Sequence, residues 1–131
     1  MALRFPVPRI FPLVLWAASA AFPAPAVQAQ QRGPTVVLVT KSDACPCQLS
    51  LCVAAEQEVR NFVADTGGQV GLVIVDLART PEAGKTYKAF AVPVVILQDE
   101  KGEALGRFYG YVEESHLLRE WNEYRQKKES Q

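Results

Sequence analysis

The strongest constraint on this chain is a set of three short aliphatic runs bounded by turn signals. They are Thr35-Val36-Val37-Leu38-Val39-Thr40, Val70-Gly71-Leu72-Val73-Ile74-Val75 and Val94-Val95-Ile96-Leu97. Runs this apolar, without alternation, predict strands covered on both faces, and a layered α/β domain supplies that cover. Between the first two runs, residues 48–65 hold no glycine or proline. There Cys52, Ala55, Val59, Phe62 and Val63 recur at helical spacing, with Glu56, Glu58 and Arg60 turned more outward. Gly67-Gly68 then stops the helix. Thr80-Pro81-Glu82 predicts a second helix start, with threonine as cap, proline at the first helical position and an acid in the first turn. Ala83, Tyr87 and Phe90 give that helix an apolar face, which Gly84 weakens. Asp99-Glu100-Lys101-Gly102 predicts a turn into a fourth strand from Glu103 to Tyr109. A last helix runs from Glu113 to about Tyr124, with Leu117, Leu118, Trp121 and Tyr124 inward.

The predicted order is β-α-β-α-β-β-α. Strand, helix, strand at the start implies a parallel pair joined by a crossover, and the short turn at 99–102 makes the last two strands antiparallel. The expected architecture is α/β, a mixed four-stranded sheet with helices on both faces. At 131 residues there is room for one core, and 49% hydrophobic against 21% charged residues excludes a disordered chain. Fourteen basic and 14 acidic side chains leave no basic stripe for a nucleic-acid backbone. Phe108, Tyr109 and Tyr111 read as strand packing, and Glu113-Glu114 with Glu120 and Glu123 as a solvated helix face.

The ends of the chain carry a different message. Arg4 and Arg9 are the only charges before Arg32, and Ile10 to Phe22 is uncharged. Val27 and Ala29 follow as a small-x-small pair before Gln30. A basic start, a short apolar stretch and such a pair read as a secretory signal over residues 1–29. Pro12 and Pro23 break the apolar stretch, which is too short to span a bilayer comfortably. Residues 30–34 form a polar leader, 35–124 the domain and 125–131 a charged, frayed tail. The expected location is therefore periplasmic or extracellular, an oxidising setting in which thiols must be managed, with no stable membrane span after cleavage.

All three cysteines, Cys45, Cys47 and Cys52, fall within Asp43-Ala44-Cys45-Pro46-Cys47-Gln48-Leu49-Ser50-Leu51-Cys52, so they do not staple distant parts of the fold. A thiolate near a helix N-terminus is stabilised by unpaired N–H groups and the helix dipole. Cys45, one step out in the loop, is expected to be the exposed nucleophile, and Cys47, nearer the first turn, its resolving partner. Pro46 holds the loop. If Cys47 and Cys52 both sit in regular helix, about 7.5 Å of rise and 140° of rotation separate them, too far to bridge. Cys52 is then either a third thiol, reached by Cys45 folding back, or a small buried hydrophobe. The same three sulfurs offer soft ligands to Cu(I) or Zn(II), the rival chemistry, although nothing local supplies a fourth ligand and His116 reads as a surface histidine.

VVLVT before the cysteines, CPC at the helix entry, VIVDL in the second strand and Val92-Pro93-Val94 before the hairpin together resemble the thioredoxin superfamily, over roughly residues 34–124. The resemblance implies a thioredoxin-like fold and dithiol–disulfide exchange. It also implies a cis proline at Pro93 facing the cysteines, and a Val92 backbone that pairs with an extended substrate chain. Two features depart from the family pattern. The site is C-x-C, one residue shorter than C-x-x-C and without the leading tryptophan. The first strand, moreover, ends in Thr40 rather than a buried acid, with Asp43 one loop later. The expected function is exchange by an exported protein with Cys45, Cys47 and Cys52 as candidate catalytic thiols and Val92 and Pro93 as substrate-binding residues. No organic cofactor is implied. The expected partners are a protein disulfide or dithiol and a redox partner that resets the site. The alternatives are a thioredoxin-like metal-binding module or metallochaperone using the same three cysteines, and a redox-inactive thioredoxin-like binding domain.

Overall fold

The computed structural model describes residues 33–131; the expected signal segment at 1–29, and the leader through residue 32, lie outside the described residues. The elements follow in the predicted order: β1 (Thr35–Thr40), α1 (Pro46–Asp65), β2 (Gly71–Asp76), α2 (Ala83–Thr86), β3 (Val94–Gln98), β4 (Ala104–Tyr109) and α3 (Glu114–Glu129). They build one mixed sheet in the order β2-β1-β3-β4. β1 runs parallel to β2, with Val37 opposite Val73, and antiparallel to β3, with Val37 opposite Ile96. β4 returns antiparallel along β3.

The unbroken apolar runs are explained by helical cover on both faces. Along β1, Val36 and Leu38 face α1 and α3 and join Ala55, Val59, Phe62, Val95, Leu97, Leu117 and Trp121 in the larger core. The alternate residues Val37 and Val39 face the other way, with Val94, Ile96, Tyr87 and Ala89. The strand's period of two thus divides one valine run between two cores. β2 is less covered than its sequence predicts. It is an edge strand, and Ile74 is exposed. Gly67 and Gly68 take φ of 61° and 80° as the chain leaves α1, a conformation cheap only for glycine. A side chain at Gly106 would begin 3.1 Å from the Phe108 ring, which would have to shift by a few tenths of an ångström to admit it.

Two helices differ from their sequence expectation. α2 is one turn, not a helix reaching Phe90. The Ala89 N–H bonds the Gly84 carbonyl at 2.8 Å and the Lys88 N–H bonds the Lys85 carbonyl at 3.2 Å, with Lys88 at φ 51°. That is a Schellman closure, and it stops the helix before Phe90, which stands 88% exposed instead of facing the core. α3, by contrast, runs through the expected tail to Glu129. Its last turns lie against the 99–102 turn, where Lys128 Nζ meets Glu100 at 2.6 Å and the Tyr124 hydroxyl donates to the same carboxylate at 3.2 Å. Lys127 and Lys128 also suit the negative pole of the helix. No described helix is long and apolar enough to cross a membrane.

Candidate thiol site

β1 ends at Thr40, whose hydroxyl donates to the Val75 carbonyl at 3.4 Å. The chain then turns through Lys41–Ala44, closed by the Ala44 N–H on the Lys41 carbonyl at 3.2 Å. Cys45 follows as the N-cap of α1, extended at φ −64° and ψ 156°, and Pro46 takes the first helical position. Proline belongs there because that N–H would have no helical partner in any case. No acid occupies the first turn and no side chain makes a capping hydrogen bond, so the positive pole of a 20-residue helix is left to the sulfurs.

Cys45 and Cys47 are both exposed, and their Sγ atoms lie 2.9 Å apart in an S–H···S contact. The two thiols are unequal. Cys45 is held below the ordinary cysteine value, first by the Cys47 thiol donating to it and then by the backbone N–H of Gln48. Cys47 is raised, because its proton is engaged with Cys45 and because a charge on Cys45 opposes a second one beside it. The pair therefore favours one thiolate, on Cys45, with the remaining proton on Cys47. Lys41 and Asp43, which the sequence sets in opposition near the thiols, pair with each other at 3.4 Å, so their charges largely cancel at a distance.

Cys52 is elsewhere. It is 6% exposed, within the body of α1, and burial pushes its thiol upward; the Lys41 backbone N–H partly offsets this and the Asp76 carboxylate adds to it. Because Pro46–Asp65 is continuous helix, Cys47 and Cys52 have the helical separation that no disulfide spans. Among the described residues no three histidine, cysteine, aspartate or glutamate side chains are grouped so as to hold a metal ion. The three sulfurs that the metal reading requires are thus split between an exposed pair and a buried single. His116 is exposed on α3.

The Val92–Pro93 peptide bond is cis. Val39 pairs with Val94, so Pro93 lies at the sheet end where β1 hands the chain to the cysteine loop. Pro93 is buried, and its carbonyl accepts the Gly110 N–H at 2.9 Å. Val92 is half-buried and lies just outside the strand ladder.

Two residues at the site escaped the sequence reading. Asp76 Oδ1 accepts the Ser42 N–H at 2.9 Å and the Ala78 N–H at 3.0 Å, tying the cysteine loop to the end of β2. Ser42 first, then the Ala78 N–H, hold its carboxyl below the usual range, and the ionised Asp76 serves as acceptor for both N–H groups. Its signal in the sequence was an acid closing an otherwise apolar strand. Gln48 is the second: while Cys45 carries its proton, its Sγ donates to Gln48 Oε1 at 3.7 Å, a long contact.

Elsewhere, Phe108 packs against the core as expected, whereas Tyr109 and Tyr111 are exposed and the Tyr111 hydroxyl reaches Glu58 at 3.4 Å. Glu114 is not a solvated residue. Its N–H binds Glu58 Oε2 at 2.9 Å, and its own Oε1 is buried without a partner among the described residues.

No protein-family model matches this sequence, and no curated protein matches it significantly. Solved structures do. Thioredoxin-2 of the malaria parasite aligns with a TM-score of 0.59 at 17% identity, covering 69% of this chain and 82% of that one. Thioredoxin 1 of the eubacterium Thermosipho africanus gives 0.59 at 17% identity, covering 72% and 98%. Mitochondrial thioredoxin 3 of Saccharomyces cerevisiae, in its oxidised form, gives 0.54 at 18%, covering 69% and 77%. The chain has the thioredoxin fold, as its sequence led us to expect.

Proposed function

We propose that this protein carries out thiol–disulfide exchange through Cys45 and Cys47. The observation that carries the reading is the exposed sulfur pair, 2.9 Å apart at an uncapped helix start, with Cys45 lowered and Cys47 raised. The Cys45 thiolate attacks one sulfur of a substrate disulfide. A Cys45–substrate bond forms, the substrate S–S bond breaks, and the first substrate sulfur leaves as a thiolate that takes a proton from water. Cys47 then loses its proton and attacks the Cys45 sulfur. The second substrate thiolate leaves, two electrons have passed to the substrate, and Cys45 and Cys47 are joined. A dithiol partner protein reverses this last bond. The opposite direction uses the same steps backwards.

The buried position and raised thiol of Cys52 favour a packing role for it, leaving the chemistry to the other two. The position of Val92, beside the cis proline and outside the ladder, supports a role for its backbone in pairing with an extended substrate. The pattern of Arg4, Arg9, the uncharged stretch and Ala29 supports export.

The test is reduction of insulin with a chemical dithiol as the resetting reagent. The purified protein should accelerate it, and Cys45→Ser should abolish the acceleration. Activity that survives this change means another group is the nucleophile. Export is read separately: the secreted protein should begin at Gln30, and an intact Met1 terminus would exclude cleavage.

A further inference from the structure

The segment between β2 and β3 carries a surface that the exchange chemistry does not use. An open groove of about 480 Å³ lies there, floored by Leu77, Pro81, Ala89 and Phe90 and rimmed by Lys85 and Lys88. Phe90 is 88% exposed, the most exposed large apolar residue described. One open phenylalanine alone signifies little, but Phe90 shares one groove with Leu77, Pro81 and Ala89, and polar groups rim it. The local fold keeps it there: the Schellman closure at Lys88 turns the chain outward just where a longer helix would have carried Phe90 inward.

The rim has one sign. Neither Lys85 nor Lys88 forms an ion pair among the described residues, whose salt bridges all involve other cations. Of the nearby carboxylates, Asp76 is engaged by Arg79 and by backbone N–H groups, and Glu82 lies on the same turn outside the groove lining. The groove starts at the end of the sheet from which the thiol loop leaves. The Leu77 N–H bonds the Thr40 carbonyl at 2.9 Å, at the strand end that leads to Cys45, and Phe90 is three residues from the cis proline.

We propose that this groove docks a segment of the disulfide-bearing protein partner in which an apolar side chain is followed by carboxylates. The apolar side chain packs on Leu77, Ala89 and Phe90, and the carboxylates meet Lys85 and Lys88. A partner seated there holds its neighbouring chain beside the cysteine loop. The proposal rests on the exchange reading and names the substrate class for it.

The test uses peptides without cysteine, so that docking is read apart from chemistry. One fluorescent peptide carries a Leu-Phe pair followed by four glutamates, and its counterpart carries four lysines. Anisotropy should show the acidic peptide binding with an affinity that falls with salt, and the basic one not binding. Phe90→Ser should weaken binding by about tenfold or more, as loss of an aromatic anchor does. Lys85→Glu with Lys88→Glu should reverse the preference between the peptides, and Lys127→Glu, on the distant end of α3, should change nothing. Equal binding of both peptides, or full binding by Phe90→Ser, overturns the proposal. So does self-association abolished by Phe90→Ser in ultracentrifugation, which would make a second copy the occupant. If the acidic peptide binds but insulin is not reduced, the docking surface stands and the exchange reading falls. If insulin is reduced and the peptide does not bind, only the docking surface falls.

Discussion

Replacing Cys52 by alanine separates the two readings of the third cysteine. The residue is 6% exposed and lies on the inward face of α1 with Ala55 and Val59. Cys52→Ala removes one sulfur, a little larger than a methylene. The lost transfer free energy is about 0.8 kcal/mol, and the small space left behind brings the cost to about 1–1.5 kcal/mol. For a domain of this size each kcal/mol shifts the midpoint by about 4–8 °C, so thermal unfolding should show a fall of about 4–12 °C. Insulin reduction below the new midpoint should stay within about twofold of the parent, since the exposed pair is untouched. Cys52→Ser should cost more stability than alanine, because it buries a hydroxyl in place of a thiol. A protein equally stable but about tenfold or more slower after Cys52→Ala would refute the packing argument and restore Cys52 as a working thiol.

Other outcomes follow from the same geometry. Asp76→Ala should free the loop: exchange of the Ser42 amide with deuterated water should quicken by about tenfold or more, while Asp76→Asn, which keeps an acceptor oxygen, should restore most of the protection. In Cys47→Ala the largest influence lowering Cys45 is gone, so the midpoint of Cys45 alkylation against pH should move up toward the ordinary cysteine value; an unchanged midpoint would put the helix start, not the neighbouring thiol, in control. Glu114 is raised first by burial, then by Asp65 and Glu58, so the folded chain keeps this proton to higher pH than the unfolded chain does. Its contribution to stability is therefore present at low pH and lost as pH rises through the folded value. Glu114→Gln should raise the melting temperature at neutral pH, and the gain should shrink through about pH 4 and vanish at about pH 3, where both states of the parent are protonated.

The layers were legible because they rest on periodicity. The Val36–Val39 run needs cover on both faces, and the Cys52, Ala55, Val59, Phe62 spacing supplies one of them. The cis bond at Pro93 and the helix start at the cysteines followed from position within a recognised pattern. What escaped notice depends on tertiary neighbours. A single αL residue, Lys88, ends α2 early, and no local propensity marks a lysine for that conformation. The extended end of α3 sets Lys128 against Glu100, 28 residues earlier in the chain. β2 reads as strongly apolar, yet it lies at the edge, because strand order is not written in the composition of one strand. Asp76 looked like the end of a strand; its role appears only once the Ser42 N–H is placed against it.

The central claim is that Cys45 is the sulfur that meets the substrate. It is tested most directly by incubating Cys47→Ala, which lacks the second thiol of the pair, with a disulfide-bonded protein, quenching in acid and mapping the trapped adduct by mass. The adduct should be a substrate cysteine joined to Cys45. An adduct on Cys52, or none on any cysteine, would contradict it.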